Sequence, residues 1–506
     1  MQPMDWMQKA LQPALKQHWY EEKEMKYILG IDQSTQGTKA VLFDSKGQIV
    51  SRADFAHRQI VNEKGWVSHD LNEIYDNLCK AVKKAVSLAG ISDTDLVAVG
   101  ISNQRETTAA WRKDGSPVTE AVVWQCARAA EIADRYQQQS EEIREKTGLK
   151  LSPYFPAAKM AWLLENGTEP ENLHLGTIDS YLIYRLTGGK SFRTDYSNAS
   201  RTQLFNLHTL SWDKDLTDLF GISTAMLPEV CDSDSCFGET DFEGAVSRKI
   251  PIYAVMGDSH AALYGHGCVE KGMAKTTYGT GSSIMMNIGD QFIKSSHGLV
   301  TSLAWSRHGK TEYVLEGNIN YTGAVISWLQ NDMHLISSPA ELEQMIQQAH
   351  PEDATVLVPA FSGLSAPYWK NEAKAMIYGM SRTTGRNEIA RAAVESIALQ
   401  ITDVLEAMKA DCTDLRPAQL RVDGGPTRNR YLMQFQSTMA QMTLAIPEHE
   451  ELSAIGAAYM AGTAAGLYPE NIFTCMNYKI YHPSEDLEYR TRKYTAWKNA
   501  VEKVLI

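Results

Sequence analysis

At 506 residues, with 43% hydrophobic residues and seven scattered cysteines, the chain is long enough for more than one core, since single cores stop growing at roughly 250–300 residues. A formal net charge of −12 and a pI near 5.6, with no Lys/Arg run, exclude a sequence-independent grip on nucleic acid, which needs a concentrated basic face. No apolar stretch has the length of a membrane span, no secretory signal opens the chain, and Cys231 and Cys236 lack zinc-knuckle spacing and neighbouring histidines, so a reduced, cytoplasmic protein is expected.

In chain order, residues 1–24 are polar with isolated Trp6, Leu11, Leu15 and Trp19, a spacing for one short amphipathic helix. Residues 1–25 read as a dispensable leader, with Met25 as an alternative start. Residues 27–31, 40–43 and 48–53 read as three short strands of an antiparallel meander, with turns at Gly37 and Gly47. A helix is expected over 71–88, a strand over 96–102 and a helix over 127–146, which is an α/β pattern. The stretch from Thr187 to Ser191, TGGKS, has Tyr184 where a P-loop needs its first glycine, so it reads as a β-turn between a helix and a strand.

The second half restarts in the same way, with strand candidates at 275–278, 283–288 and 312–316. Ile389, Ala393, Ile397, Ile401, Val404 and Met408 share one face of a long helix, and the strand LRVD from Leu420 ends at Gly424 and Gly425. Two glycine/threonine turns stand about half the chain apart, GIDQSTQGTK from Gly30 and TYGTGSS from Thr277. Such turns present successive backbone N–H groups and hydroxyls to phosphate oxygens. One phosphate-binding turn in each of two related halves is therefore expected.

Three segments carry candidate chemistry. Asp32, at a strand end in the first turn, either holds magnesium or stabilises its own turn. Asp258, in VMGDSHAALYG, reads locally either as a helix N-cap or as a base that accepts a proton from a substrate hydroxyl. Arg105 and Glu106, in ISNQRETTAAW, are either a solvated loop or a donor and acceptor pair suited to a polyol.

Taken together the segments resemble the FGGY family of carbohydrate kinases, most closely its glycerol kinase branch, from about Lys26 to the C-terminus. The matching runs include GIDQSTQGTKA, GWVSHD from Gly65, NQRETT from Asn103, VVWQCARAAEI from Val122 and TDYSNASRTQLFNLHTLSWD from Thr194. Two family signatures are also present, YFPAAKMAWLLEN from Tyr154 and AMIYGMSRTTGRNEIARAAVE from Ala375. The resemblance implies an α/β protein of two ribonuclease-H-like domains of the actin and sugar-kinase type, with a ligand cleft between them. The expected division is residues 26–262 on the substrate side and 263–506 on the nucleotide side.

The resemblance further implies ATP and Mg2+, a small polyol or ketose substrate, and a homo-oligomer. By motif matching, Asp258 is the general base and Asp32 and Asp258 hold the metal. Thr35, Lys39, Gly279, Thr280, Gly323, Ser327, Gly425 and Asn429 lie along the nucleotide. Arg105, Glu106, Trp124, Tyr154, Asp258, Ser259 and Ser283 line the substrate pocket.

The chain departs from the glycerol kinase branch at four of these places. Ser283 replaces a pocket phenylalanine, Ser259 and Ser327 replace glutamines, and Lys39 replaces an arginine. Shortened side chains at 259 and 283 open space for another carbon and its hydroxyl, so these departures point to a substrate somewhat larger than glycerol, such as a tetritol or a small ketose (a pentulose), with glycerol kept as the alternative. An actin-like ATPase would keep the phosphate turns without needing Trp124 and Tyr154. A degenerate, binding-only protein would not need Asp32 and Asp258. The stretch DFEGAVSRKIP from Asp241 lacks the branch's recognisable inhibitor-binding glycines.

Overall fold

The computed structural model describes residues 26–506 apart from 168, 170, 416 and 485. The expected N-terminal helix and leader lie outside the described residues. The meander forms as expected: β1 (Tyr27–Gln33) pairs antiparallel with β2 (Gly37–Phe43), and β2 with β3 (Ile49–Ala56). Two parallel strands then add beside β1, first β4 (Leu96–Asn103) and next β5 (Ile250–Gly257).

All seven residues of β1 are buried, because both faces of this sheet are covered. Alternate side chains point to opposite faces. Leu29 and Ile31 join the core under helix α1 (Leu71–Ala89), while Ile28 joins a second core on the other side. Asp70 starts α1 by accepting the N–H groups of Asn72 and Glu73.

The second half repeats this order. β6 (Ala274–Tyr278) pairs antiparallel with β7 (Ser282–Gly289), and β7 with β9 (Lys310–Ile319). β10 (Gln419–Asp423) and β11 (Thr443–Pro447) add parallel beside β6. Each sheet thus runs third, second, first, fourth, fifth strand, so the duplication read from the turns is a duplication of topology. Beyond β9 the second sheet adds β8 (Val300–Arg307), which the sequence reading missed. Seven of its eight residues are buried, so it lacks the alternation that marks a half-exposed strand.

The helix expected over 127–146 is instead two short helices, Ala130–Arg135 and Ser140–Thr147. Tyr136 turns aside to pack on Phe220, with ring centroids 5.0 Å apart, and the Gln137–Gln139 run has no apolar residue to hold a helical face to the core. The long helix of the second half, α3 (Arg386–Asp411), is present with the expected apolar face buried.

Two helices lie between the sheets: α2 (Asp258–Gly265), directly after β5, and α4 (Leu452–Ala464). Their shared core takes Ile28 and Val41 from the first sheet and Met285 and Val314 from the second. The helices touch backbone to backbone. A Cβ on Gly456 of α4 would stand 1.8 Å from the Ala261 carbonyl oxygen of α2, so any side chain there would force the helices apart. This packing fixes the start of α2, and with it Asp258, in the cleft.

Candidate active site

The ends of the central strands meet at a cavity of about 210 Å3, lined among others by Asp32, Lys39, Asp258, Thr277, Asp423 and Glu451. Both expected phosphate turns border this cleft region, each leaving the first strand of its sheet. Asp32 is 7% exposed and accepts a hydrogen bond from Ser102 at 3.1 Å. Burial pushes its carboxyl up to about 6; Lys39, 3.7 Å away across the β1–β2 ladder, opposes that rise, and Asp258 and Glu451 add to it. Lys39 in turn donates to Glu451 at 2.9 Å, and Glu451 also receives Arg52. A glutamate from the second half thereby holds two cations of the first.

Asp258 sits where β5 ends and α2 begins. The capping reading does not hold as drawn: the cap position is Gly257, which has no side chain, and Asp258 is the first helical residue. Its Oδ1 accepts the N–H of Ser259 at 2.6 Å and lies 3.2 Å from Nε of Arg105. Burial raises its pKa, Arg105 opposes that rise, and Glu106 adds to it. A raised carboxylate is a better proton acceptor than an exposed aspartate.

Arg105 and Glu106 are not a solvated loop either, being 6% and 2% exposed. They take different partners within one network. Arg105 makes a two-pronged contact to Glu316, at 3.1 and 2.8 Å, while Glu106 accepts from Arg201 at 2.6 Å, and Arg201 also donates to Glu316 at 2.7 Å. Glu106 holds a left-handed backbone, φ 60°, an uncommon conformation outside glycine that functional sites tolerate. Burial opposes ionisation of Glu316, yet Arg105 and Arg201 hold its pKa well below the ordinary carboxylate range. Two guanidinium groups face Glu106, Glu316 and Asp258, and the buried Lys275 acts on Asp258 and Glu316 as a third cation. Among the two arginines and three carboxylates Asp258 is the half-buried one, at 34% exposure against 6% or less for the others.

Trp124 and Tyr154 stand edge to face at 5.6 Å beside this cluster. The Trp124 indole donates to Thr35 Oγ1 at 2.9 Å, so the first phosphate turn is tied to the aromatic wall. Ser283, on β7, is half-buried opposite Asn318 and lies 3.4 Å from Glu316. Gly279 and Thr280 of the second turn accept the N–H groups of Gly323 and Ala324, which brings those expected nucleotide residues together. Ser327 is exposed on the same short helix. Gly425 is exposed at the end of β10, and Asn429 spends its side-chain oxygen capping the helix Arg430–Ala440 at Leu432.

Gly424, beside them, has φ 98°, and a Cβ there would stand 2.0 Å from the Tyr278 carbonyl oxygen. Gly424→Ala is expected to cost about 1–3 kcal/mol, seen as a lowered melting midpoint. An unchanged midpoint would show that the two loops yield.

Sequence reasoning missed Glu316, Arg201, Glu451 and Asp423 as members of the site. The signal for Glu316 was a lone acid inside the apolar run YVLEG; the signal for Arg201 was a cation in the otherwise uncharged SNASRTQLF. Ionisable residues in such surroundings are seldom fully buried unless paired.

The model for the FGGY family of carbohydrate kinases, N-terminal domain, matches residues 27–265, and that for the C-terminal domain matches 274–465. Glycerol kinase 2 of Thermotoga maritima is 43% identical over 495 residues, covering 95% of this chain and 99% of the relative. The glycerol kinase of Francisella tularensis subsp. novicida is 43% identical over 492 residues, covering 94% and 98%. Among solved structures, Plasmodium falciparum glycerol kinase with ADP superposes with a TM-score of 0.88 at 33% identity, covering 95% of this chain and 99% of that one. Xylulose kinase from Lactobacillus acidophilus superposes at 0.85 with 23% identity, covering 94% and 98%, which is a likeness of fold.

Proposed function

The chain belongs to the FGGY family of carbohydrate kinases, and from that membership we propose that it phosphorylates a terminal hydroxyl of glycerol. The reaction class is ATP-dependent phosphotransfer to an alcohol. The observation that carries the reading is the position of Asp258: its carboxylate lines the cleft cavity and also contacts Arg105 of the buried charge cluster.

In the proposed reaction Arg105 and Glu106 orient the polyol hydroxyls, and Trp124 and Tyr154 cover its carbons. Asp258 accepts the proton of the terminal hydroxyl as that oxygen bonds to the γ-phosphorus and the bond to the β–γ bridging oxygen breaks, releasing ADP. Thr35 and Lys39 of the first turn, and Gly279 and Thr280 of the second, hold the phosphates. Gly323, Ser327, Gly425 and Asn429 follow the rest of the nucleotide on the side of residues 263–506. Positioning and charge neutralisation supply most of the rate in such transfers.

Asp32 and Asp258 fit Mg2+, which binds through one or two carboxylates while substrate phosphates and water complete its shell. Among the described residues no group of three or more His, Cys, Asp or Glu would cage an ion on protein ligands alone. When bound, Mg2+ neutralises phosphate charge. A cytoplasmic homo-oligomer completes the proposal, and among the described residues no helix is long and apolar enough to cross a membrane.

A second reading, a tetritol or pentulose as substrate, has Ser283 and Ser259 in its favour and less support from the relatives. The actin-like ATPase and the binding-only protein have less support still. ADP release measured over a panel of three- to five-carbon polyols and ketoses decides among them. Glycerol is expected to give the highest kcat/KM; a tetritol or pentulose preferred by about tenfold, worth about 1.4 kcal/mol at the transition state, would establish the second reading.

A further inference from the structure

We infer that Lys159 is a positioning residue for the polyol pocket, clamping the two loops that carry Trp124 and Tyr154 through their main-chain carbonyls. Lys159 lies on the helix Pro156–Glu165, within the signature segment YFPAAKMAWLLEN, and is fully buried. Its Nζ donates to the Trp124 carbonyl oxygen at 3.2 Å and to the Tyr154 carbonyl oxygen. Neither carbonyl has another hydrogen-bond donor among the described residues. Trp124 is thereby pinned at three points: its N–H donates to Thr107 at 3.2 Å, its indole donates to Thr35, and its carbonyl is held by Lys159.

The cost of this arrangement argues for a role. A buried ammonium is unfavourable unless paired, and among the described residues no carboxylate lies within ion-pair distance of Lys159. The charged and titratable groups acting on it are Glu106 and Cys126, which favour its ammonium form, and Arg128, which opposes it; Tyr154 offers its ring at 5.8 Å. Burial, the largest influence, pushes it down to about 7. Its nearest-acting anion is thus Glu106, the carboxylate assigned to the substrate. An apolar side chain would fill this volume at less electrostatic cost, but it would leave two buried carbonyls unpaired and both aromatic walls unanchored.

The inference rests on the kinase reading, so wild-type protein is assayed first; absence of polyol phosphorylation there refutes that reading and not the clamp. Lys159→Met removes the donors at similar length, and Lys159→Gln keeps a shorter, neutral donor. Lys159→Met is expected to raise the polyol KM by about tenfold or more while the KM for ATP stays within about twofold. Lys159→Gln is expected to fall between Met and wild type. A polyol KM unchanged in Lys159→Met overturns the clamp. Equal loss of ATP and polyol affinity, or failure of both variants to fold, overturns it too, because either outcome makes Lys159 a general structural residue.

Discussion

Asp258→Asn is expected to lower kcat by about a thousandfold or more while ATP still binds. Asparagine keeps the volume of the side chain and can still accept the Ser259 N–H, but it cannot take up a proton. The position already favours proton acceptance, because burial raises this carboxylate even though Arg105 lies 3.2 Å away. Stability separates this loss from unfolding. Arg105 keeps its pairing with Glu316 when Asp258 is neutralised, so the melting midpoint is expected to stay close to that of the wild type, as is usual for a residue that serves activity and not stability. Near-normal turnover in the purified variant would remove Asp258 from the reaction.

Arg201→Met is expected to destabilise the protein by about 3–5 kcal/mol, the scale for removing one partner of a buried ion pair. Arg201 is 1% exposed and neutralises Glu106 and Glu316 together, at 2.6 and 2.7 Å. Its guanidinium also lies over the Phe155 ring at 5.2 Å, a contact methionine replaces only in part. A loss of this size is a large share of the roughly 5–15 kcal/mol by which most domains are stable. Adding Glu106→Gln should recover part of it, since the two changes act on one contact. Chemical denaturation of the single and double variants checks both statements; a single-variant loss under about 1 kcal/mol would show that the cluster is not held by charge pairing.

The elements legible in the sequence were those with a strong local signal. The meander 27–53, the helix from Leu71, the helix face from Ile389 and the turns at Gly30 and Thr277 each carry a period or a glycine that one conformation satisfies. The β8 strand was not legible because burial on both faces erases alternation, and the break near Tyr136 depends on Phe220, more than eighty residues away. The site divides in the same way. Asp32 and Asp258 stand at strand ends beside turns and could be singled out, whereas pairing Arg105 with Glu316 joins residues 211 apart on different halves. Charge compensation of this kind is a property of the assembled cleft. For Asp258 the local reading pointed to a helix cap; in the fold it is the first helical residue, and its carboxylate takes the Ser259 N–H while tertiary packing adds Arg105.

Transfer of labelled γ-phosphate from ATP to glycerol, by purified wild-type protein with Mg2+, tests the central claim most directly. The expected result is a labelled phosphate monoester formed in step with ADP, and its loss in Asp258→Asn. ADP formed without any labelled acceptor, across the whole polyol and ketose panel, would contradict a carbohydrate kinase and leave an ATPase.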